Sequence, residues 1–219
     1  QKCSACSRVL IPREMHDAFS KRLSEAIASK TLGPAEAPAN QIGPVIDEES
    51  RARIEKRIDE SKQSATLIFR ADVSNLLDDG FYVGPAIFAN ADPKSDLCQQ
   101  EIFGPVLALI PYDTLEQAIV IANDSPYALT AGIYSRNPES ISLISRYIEA
   151  GNLYINRKIT GAMVHRQPFG GYKLSGVGSK AGGTDYLLQF VLPRTITENT
   201  LRRGFAPGVP TRGFDLDIS

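Results

Sequence analysis

The sequence predicts an α/β fold: a mostly parallel sheet with helices on both faces. Two observations carry this. Apolar runs of strand length alternate with amphipathic stripes of helical period along the first 155 residues, the pattern of strands joined by crossover helices. The longest run, at residues 106–112, is apolar almost throughout rather than alternating, as expected of a strand covered on both faces.

Taken in order, residues 7–11 read as a strand. Residues 13–30 carry Met15, Ala18, Phe19, Leu23, Ala26 and Ile27 as a helical stripe, ended by Gly33-Pro34. A turn-rich loop at 34–44 precedes a charged amphipathic helix at 48–64 and a strand at 65–71. Asp78-Asp79-Gly80 is a turn signal. Residues 81–83 and 86–89 read as extended, with Pro85 limiting the ladder. The strand at 106–112 is followed by a helix at 115–123 and a strand at 131–134. A helix at 138–149 opens with Pro138 in its first turn, and 151–155 is the next strand. From Asn156 to Gly183 the alternation gives way to a glycine-rich stretch, backbone permissive enough to wrap a ligand. Residues 189–197 read as a last extended segment suited to pairing across a subunit interface. The Gly-, Pro- and charge-rich tail from 202 reads as irregular.

With 24 basic and 25 acidic side chains, no positive excess exists to neutralise phosphates, which argues against nucleic-acid binding. No apolar run reaches the length of a membrane span. The start, Gln-Lys-Cys-Ser-Ala-Cys, has neither a signal-peptide pattern nor an initiator Met, and the expectation is a piece of a longer chain. The odd count of three cysteines, Cys3, Cys6 and Cys98, argues against a disulfide framework and for a reducing, cytoplasmic setting. Cys3 and Cys6 have the C-x-x-C spacing of metal and redox sites, but a zinc site needs four ligands. The two histidines, His16 and His165, are far apart in sequence. A thioredoxin-type motif would open a helix, whereas a strand is expected after Cys6.

Three segments carry the chemistry. The first is Lys2-Cys3-Ser4-Ala5-Cys6-Ser7-Arg8. The second is Glu101-Ile102-Phe103-Gly104-Pro105-Val106. The third is Asn156-Arg157-Lys158-Ile159-Thr160-Gly161-Ala162, continuing to Gln167-Pro168-Phe169-Gly170-Gly171. Together they resemble the aldehyde dehydrogenase family, in its L-glutamate γ-semialdehyde (1-pyrroline-5-carboxylate) dehydrogenase branch. The likeness runs over residues 1–207 and extends to bacterial forms fused to proline dehydrogenase. His165 and Thr184 depart from the branch, which often has Gly and Pro there.

The resemblance implies the family's catalytic domain at 1–188, an oligomerisation strand at 189–201 and an irregular tail at 202–219. It implies that Cys3 is the nucleophile, attacking an aldehyde to form a thiohemiacetal and then a thioester. Ser4 and the amides of Gly161 and Ala162 would bind the substrate's α-carboxylate, an anion nest in physical terms. Phe169 would pack on the aliphatic chain. NAD is the implied cofactor, with Glu101 accepting hydrogen bonds from ribose hydroxyls and Phe103 packing beside it. The general-base Glu, the oxyanion Asn and most of the NAD domain would lie upstream, so these 219 residues alone are expected not to turn over. The parent is expected to be a homo-oligomer acting on a small aldehyde. Competing readings are a succinate-semialdehyde dehydrogenase, a non-catalytic assembly module, and, last, a Cys–His hydrolase.

Overall fold

The computed structural model describes residues 1–199, in two units, Gln1–Tyr186 and the segment from Leu187 onward. In the first unit, strand β1 (Arg8–Pro12) leads into helix α1 (Arg13–Ala28). Helix α2 (Glu48–Ser61), strand β2 (Thr66–Arg70) and strand β3 (Ala86–Ala89) follow. A single helical turn, α3 (Asp96–Gln99), precedes strand β4 (Val106–Tyr112) and helix α4 (Leu115–Asn123). Next come β5 (Tyr127–Ala128), β6 (Thr130–Ile133), α5 (Pro138–Tyr147), β7 (Asn152–Ile155) and β8 (Tyr172–Lys173).

The main sheet has the order β1-β4-β3-β2. Strand β4 lies parallel to both β1 and β3, and β2 closes the edge antiparallel to β3 with an irregularity between Leu67 and Phe69. Successive side chains on a strand point to opposite faces, and the core divides accordingly. Ile11, Ile87 and Leu109 meet Leu23 and Ile27 of α1 on one face. Phe88, Ala108 and Ile110 meet Ile54 and Ile58 of α2 on the other. Helices therefore cover both faces, and β4 is buried because it is central. The parallel pair β6–β7 and the antiparallel pair β5–β8 form separate two-stranded sheets.

Local chemistry explains the helix starts. Asp47 caps α2 by accepting the Ser50 N–H at 2.7 Å, and Glu48 and Glu49 occupy the first turn, where the helix dipole favours acid. Thr114 caps α4 and Asn137 caps α5, with Pro138 just inside. Helix α1 begins after Pro12 without a side-chain cap.

Three sequence expectations are corrected. The buried face of α1 is His16, Ser20, Leu23 and Ile27, while Met15 is 54% and Phe19 37% exposed. The inward stripe is thus turned by one residue from the apolar one. Residues 81–83 form no strand, although Tyr82 and Val83 are buried, because the paired run begins only after Pro85. Residues 189–190 belong to a 3-10 segment, Tyr186–Phe190, rather than opening an extended run. Residues 191–199 carry no strand, and Leu192 and Ile196 are 95% and 78% exposed. The proposed tail at 202–219 and the end of the 189–201 segment lie outside the described residues.

Candidate active site

The first segment precedes β1. The Ala5 N–H donates to the Lys2 carbonyl at 3.0 Å, closing a turn around Cys3 and Ser4. Cys3 is exposed and Ser4 is buried at 4%, so the turn alternates outward and inward. Gln1 Oε1 accepts the Ile46 N–H at 2.9 Å, tying this end to the entry of α2. The Cys6 thiol donates to the Arg8 carbonyl at 3.3 Å. Desolvation raises the Cys6 pKa, against smaller lowering effects from Arg8. Cys98 is buried, and desolvation raises its pKa as well.

The second segment precedes β4. Gln99 Nε2 donates to the carbonyls of Pro93 (2.7 Å) and Asp124 (2.8 Å), and Arg53 Nη1 donates to the Ile102 carbonyl at 2.6 Å. Between these anchors Glu101 stands exposed. Phe103 has φ of 56° and is 38% exposed. A bulky side chain in the left-handed region costs energy, so the anchored backbone on either side must hold it there.

The sheet brings these two segments together. Arg8 pairs with Ala108 in the parallel β1–β4 register, and the Ala108 N–H donates to the Ser7 carbonyl at 3.0 Å. Cys3 lies five residues before Arg8 and Phe103 five before Ala108, so both enter adjacent parallel strands from the same end at the same offset.

The third segment is the loop after β7, folded on itself. Phe169 and Ala181 exchange backbone hydrogen bonds at 2.9 and 2.8 Å. Lys180 Nζ donates to the Gly151 and Gly170 carbonyls, each at 2.6 Å, and desolvation lowers its pKa. A Cβ on Gly151 would sit 1.8 Å from the Gly170 carbonyl oxygen, so only glycine permits this approach. Asn152 holds both the Pro168 carbonyl and the Gly170 N–H through its amide. Gly161 has φ of 81°, and nothing lies within 4 Å of where a Cβ would be. The Met163 N–H is taken by Gln167 Oε1 at 3.0 Å. Among the described residues, the Gly161 and Ala162 amides donate to no protein acceptor. Both residues are exposed, and Phe169 is half-buried. His165 is exposed with φ of 63°.

No hydrogen bond or ion pair among the described residues joins this loop to Cys3 or to Glu101. No group of three or more His, Cys, Asp or Glu side chains converges among them, and no helix among them is long and apolar enough to cross a membrane. The anchors Gln99, Arg53, Asn152 and Lys180 are not readable as such from sequence. Lys180 is one of three lysines in that stretch, with Lys158 and Lys173, and nothing in the sequence singles it out.

These features define an exposed thiol on a turn that leads into β1, a strained aromatic loop that leads into the parallel neighbour β4, and a loop of open amides further along the chain. Residues 1–196 match the profile described as the Aldehyde dehydrogenase family, and the chain belongs to that family. Within it, the chain is 40% identical over 200 residues to a 1-pyrroline-5-carboxylate dehydrogenase of Bacillus licheniformis, covering 90% of this chain and 38% of that protein. It superposes on proline utilization A from Bdellovibrio bacteriovorus with a TM-score of 0.86 and 49% identity, covering 95% of this chain and 22% of that one. It superposes on the 1-pyrroline-5-carboxylate dehydrogenase from Thermus with bound NAD with a TM-score of 0.80 and 38% identity, covering 87% and 36%. The chain thus spans less than two fifths of the length of these relatives.

Proposed function

We propose that this chain is the catalytic part of an NAD-dependent dehydrogenase that oxidises L-glutamate γ-semialdehyde to L-glutamate in proline catabolism. The observation that carries the reading is the pair of unengaged amides at Gly161 and Ala162, beside a glycine in the left-handed region. Consecutive amides free of protein acceptors suit a carboxylate, whose charge-assisted bonds with them are the strong kind. An aldehyde without an α-carboxylate has no use for them. The named relatives support the same substrate.

In this reading Cys3 gives up its proton and its sulfur bonds to the aldehyde carbon. The Gly161 and Ala162 amides, with Ser4, hold the far carboxylate, and Phe169 covers the methylene chain. Positioning of this kind turns a bimolecular encounter into an intramolecular attack. NAD, when bound, supplies the two-electron acceptor that lets the thiohemiacetal become a thioester. The exposed Glu101 carboxylate and the Phe103 ring fit one edge of such a cofactor: Glu101 accepts hydroxyl protons, and Phe103 offers an apolar wall. Water then releases the product from Cys3.

The general base, the oxyanion side chain and the larger part of the cofactor site belong, in this proposal, to a preceding domain. The exposed apolar side chains at Leu187, Leu188, Leu192 and Ile196 support burial of this segment in a homo-oligomer, and the cysteine usage supports a cytoplasmic setting.

The test compares glutamate γ-semialdehyde with an aldehyde of equal length lacking the α-carboxylate, using NADH absorbance and the full-length protein. Gly161→Ala is expected to raise KM severalfold for the first substrate and leave the second unchanged, since a left-handed alanine costs about 1–2 kcal/mol. Equal effects on both substrates overturn the carboxylate assignment. The 219-residue chain assayed alone is expected to be inactive, and robust turnover by it overturns the half-site reading.

A further inference from the structure

We propose that Cys6 is a resolving thiol for Cys3: under peroxide the two close an intramolecular disulfide that silences the site reversibly and guards it from irreversible oxidation. The inference rests on the reading of Cys3 as the reactive nucleophile, and it gives a role to the C-x-x-C spacing that the dehydrogenase chemistry does not use.

The backbone supplies the proximity. In an extended run, residues three apart are separated by about 10 Å, beyond the roughly 4.4–6.8 Å that a disulfide spans between Cα atoms. Here the Ala5 N–H to Lys2 carbonyl bond closes a turn around Cys3 and Ser4, and the chain bends again at Ala5. The hydrogen bond draws Lys2 and Ala5 together, and Cys3 and Cys6 lie on either side of the bend at Ala5. Both residues are exposed while Ser4 between them is buried, and the Cys6 sulfur itself is partly desolvated where it meets the Arg8 carbonyl. Cys98, the remaining thiol, is buried. The Cys6 Sγ is held 3.3 Å from the Arg8 carbonyl, a contact that keeps it beside the turn as a protonated donor. Its raised pKa fits the second role rather than the first, because peroxide attacks thiolates.

The electrons balance with hydrogen peroxide as oxidant. The Cys3 thiolate attacks one peroxide oxygen, the O–O bond breaks, and hydroxide leaves. Cys3 becomes a sulfenic acid, oxidised by two electrons. Cys6 loses its proton and attacks the Cys3 sulfur. The S–S bond forms, the S–O bond breaks, and the departing hydroxide is protonated to water. A dithiol reductant returns both electrons by thiol–disulfide exchange. Without Cys6, the sulfenic acid proceeds to the sulfinic acid, which dithiols do not reverse.

The experiment treats the full-length protein with hydrogen peroxide and then dithiothreitol, reading activity and the mass of the tryptic peptide 3–8. In the wild type the expected result is loss of activity with a peptide lighter by two hydrogens, both reversed by the dithiol. Cys6→Ser is expected to match the wild type before oxidation, to lose activity under peroxide with a peptide heavier by two oxygens, and to stay inactive after reduction. The proposal is overturned if Cys6→Ser recovers as fully as the wild type, or if the wild-type peptide gains oxygens without ever losing hydrogens. Cys3→Ala separates the two readings. If it turns over normally the catalytic assignment fails, while the wild-type peptide mass still decides the disulfide.

Discussion

At the residue scale, three thiols in one chain have three environments. Cys98 is buried and Cys6 is held against the Arg8 carbonyl, and desolvation raises the pKa of both. Cys3 stands exposed on its turn. The motif around it is what proposes it as the nucleophile, and the second motif proposes Glu101 and Phe103 for the cofactor edge. What could not be read was how Phe103 is held with a positive φ, because the Arg53 and Gln99 anchors come from distant sequence. Glu101→Gln tests the cofactor edge. Replacing an ionised acceptor by a neutral one weakens hydrogen bonds by about 1–2 kcal/mol. The expected result is roughly a tenfold higher KM for NAD, with the KM for the aldehyde unchanged, in initial-rate kinetics of the full-length protein.

At the element scale, local rules read the helices well and their faces less well. The span of α4 and the Pro-opened start of α5 follow from pattern and caps. The face of α1 does not, since burying His16 and Ser20 while exposing Met15 and Phe19 is decided by where the helix lands on the sheet. Among the described residues, His16 Nε2 and Ser20 Oγ are buried without partners, a cost that no periodicity predicts. Helix α2 offers two measurable consequences. Ile54 is fully buried at the centre of one core face, so Ile54→Ala should cost about 3 kcal/mol and lower Tm by roughly 6–12 °C in thermal unfolding. The second concerns acid. The Asp47 pKa is lowered, chiefly by the Ser50 N–H it accepts at the helix cap. A carboxyl depressed in the folded state adds stability that is full above its unfolded pKa and lost as pH falls through the folded value. Acid should therefore erode this contribution from about pH 4 downward. Tm measured against pH should fall less steeply there for Asp47→Asn, which caps without titrating.

At the scale of the whole molecule, the layered architecture was legible, because apolar strands and amphipathic helices alternate. The mixed character of the main sheet was less so: β2 runs antiparallel, and β5 and β8 are two-residue pairs too short to carry a pattern. The loop after β7 announced itself by its glycines, yet its closure by Lys180 and Asn152 depends on tertiary contacts.

The β1–β4 register works as a ruler with two fixed zero marks. One hundred positions separate Arg8 from its partner Ala108, and an exposed loop in that interval, such as residues 34–44, can change length without moving either mark. The five residues on each side cannot. One residue added between Cys3 and Arg8 lengthens the turn-bearing lead-in by up to about 3.3 Å and displaces the thiol, and a misplacement of about 1 Å already costs on the order of a hundredfold. A glycine inserted after Ser7 should abolish turnover while leaving Tm nearly unchanged. The same glycine inserted in the loop at residues 34–44 should leave both intact. Two insertions of equal size, assayed side by side for rate and melting in the full-length protein, would show that the ladder sets the distance between the proposed nucleophile and the proposed cofactor edge.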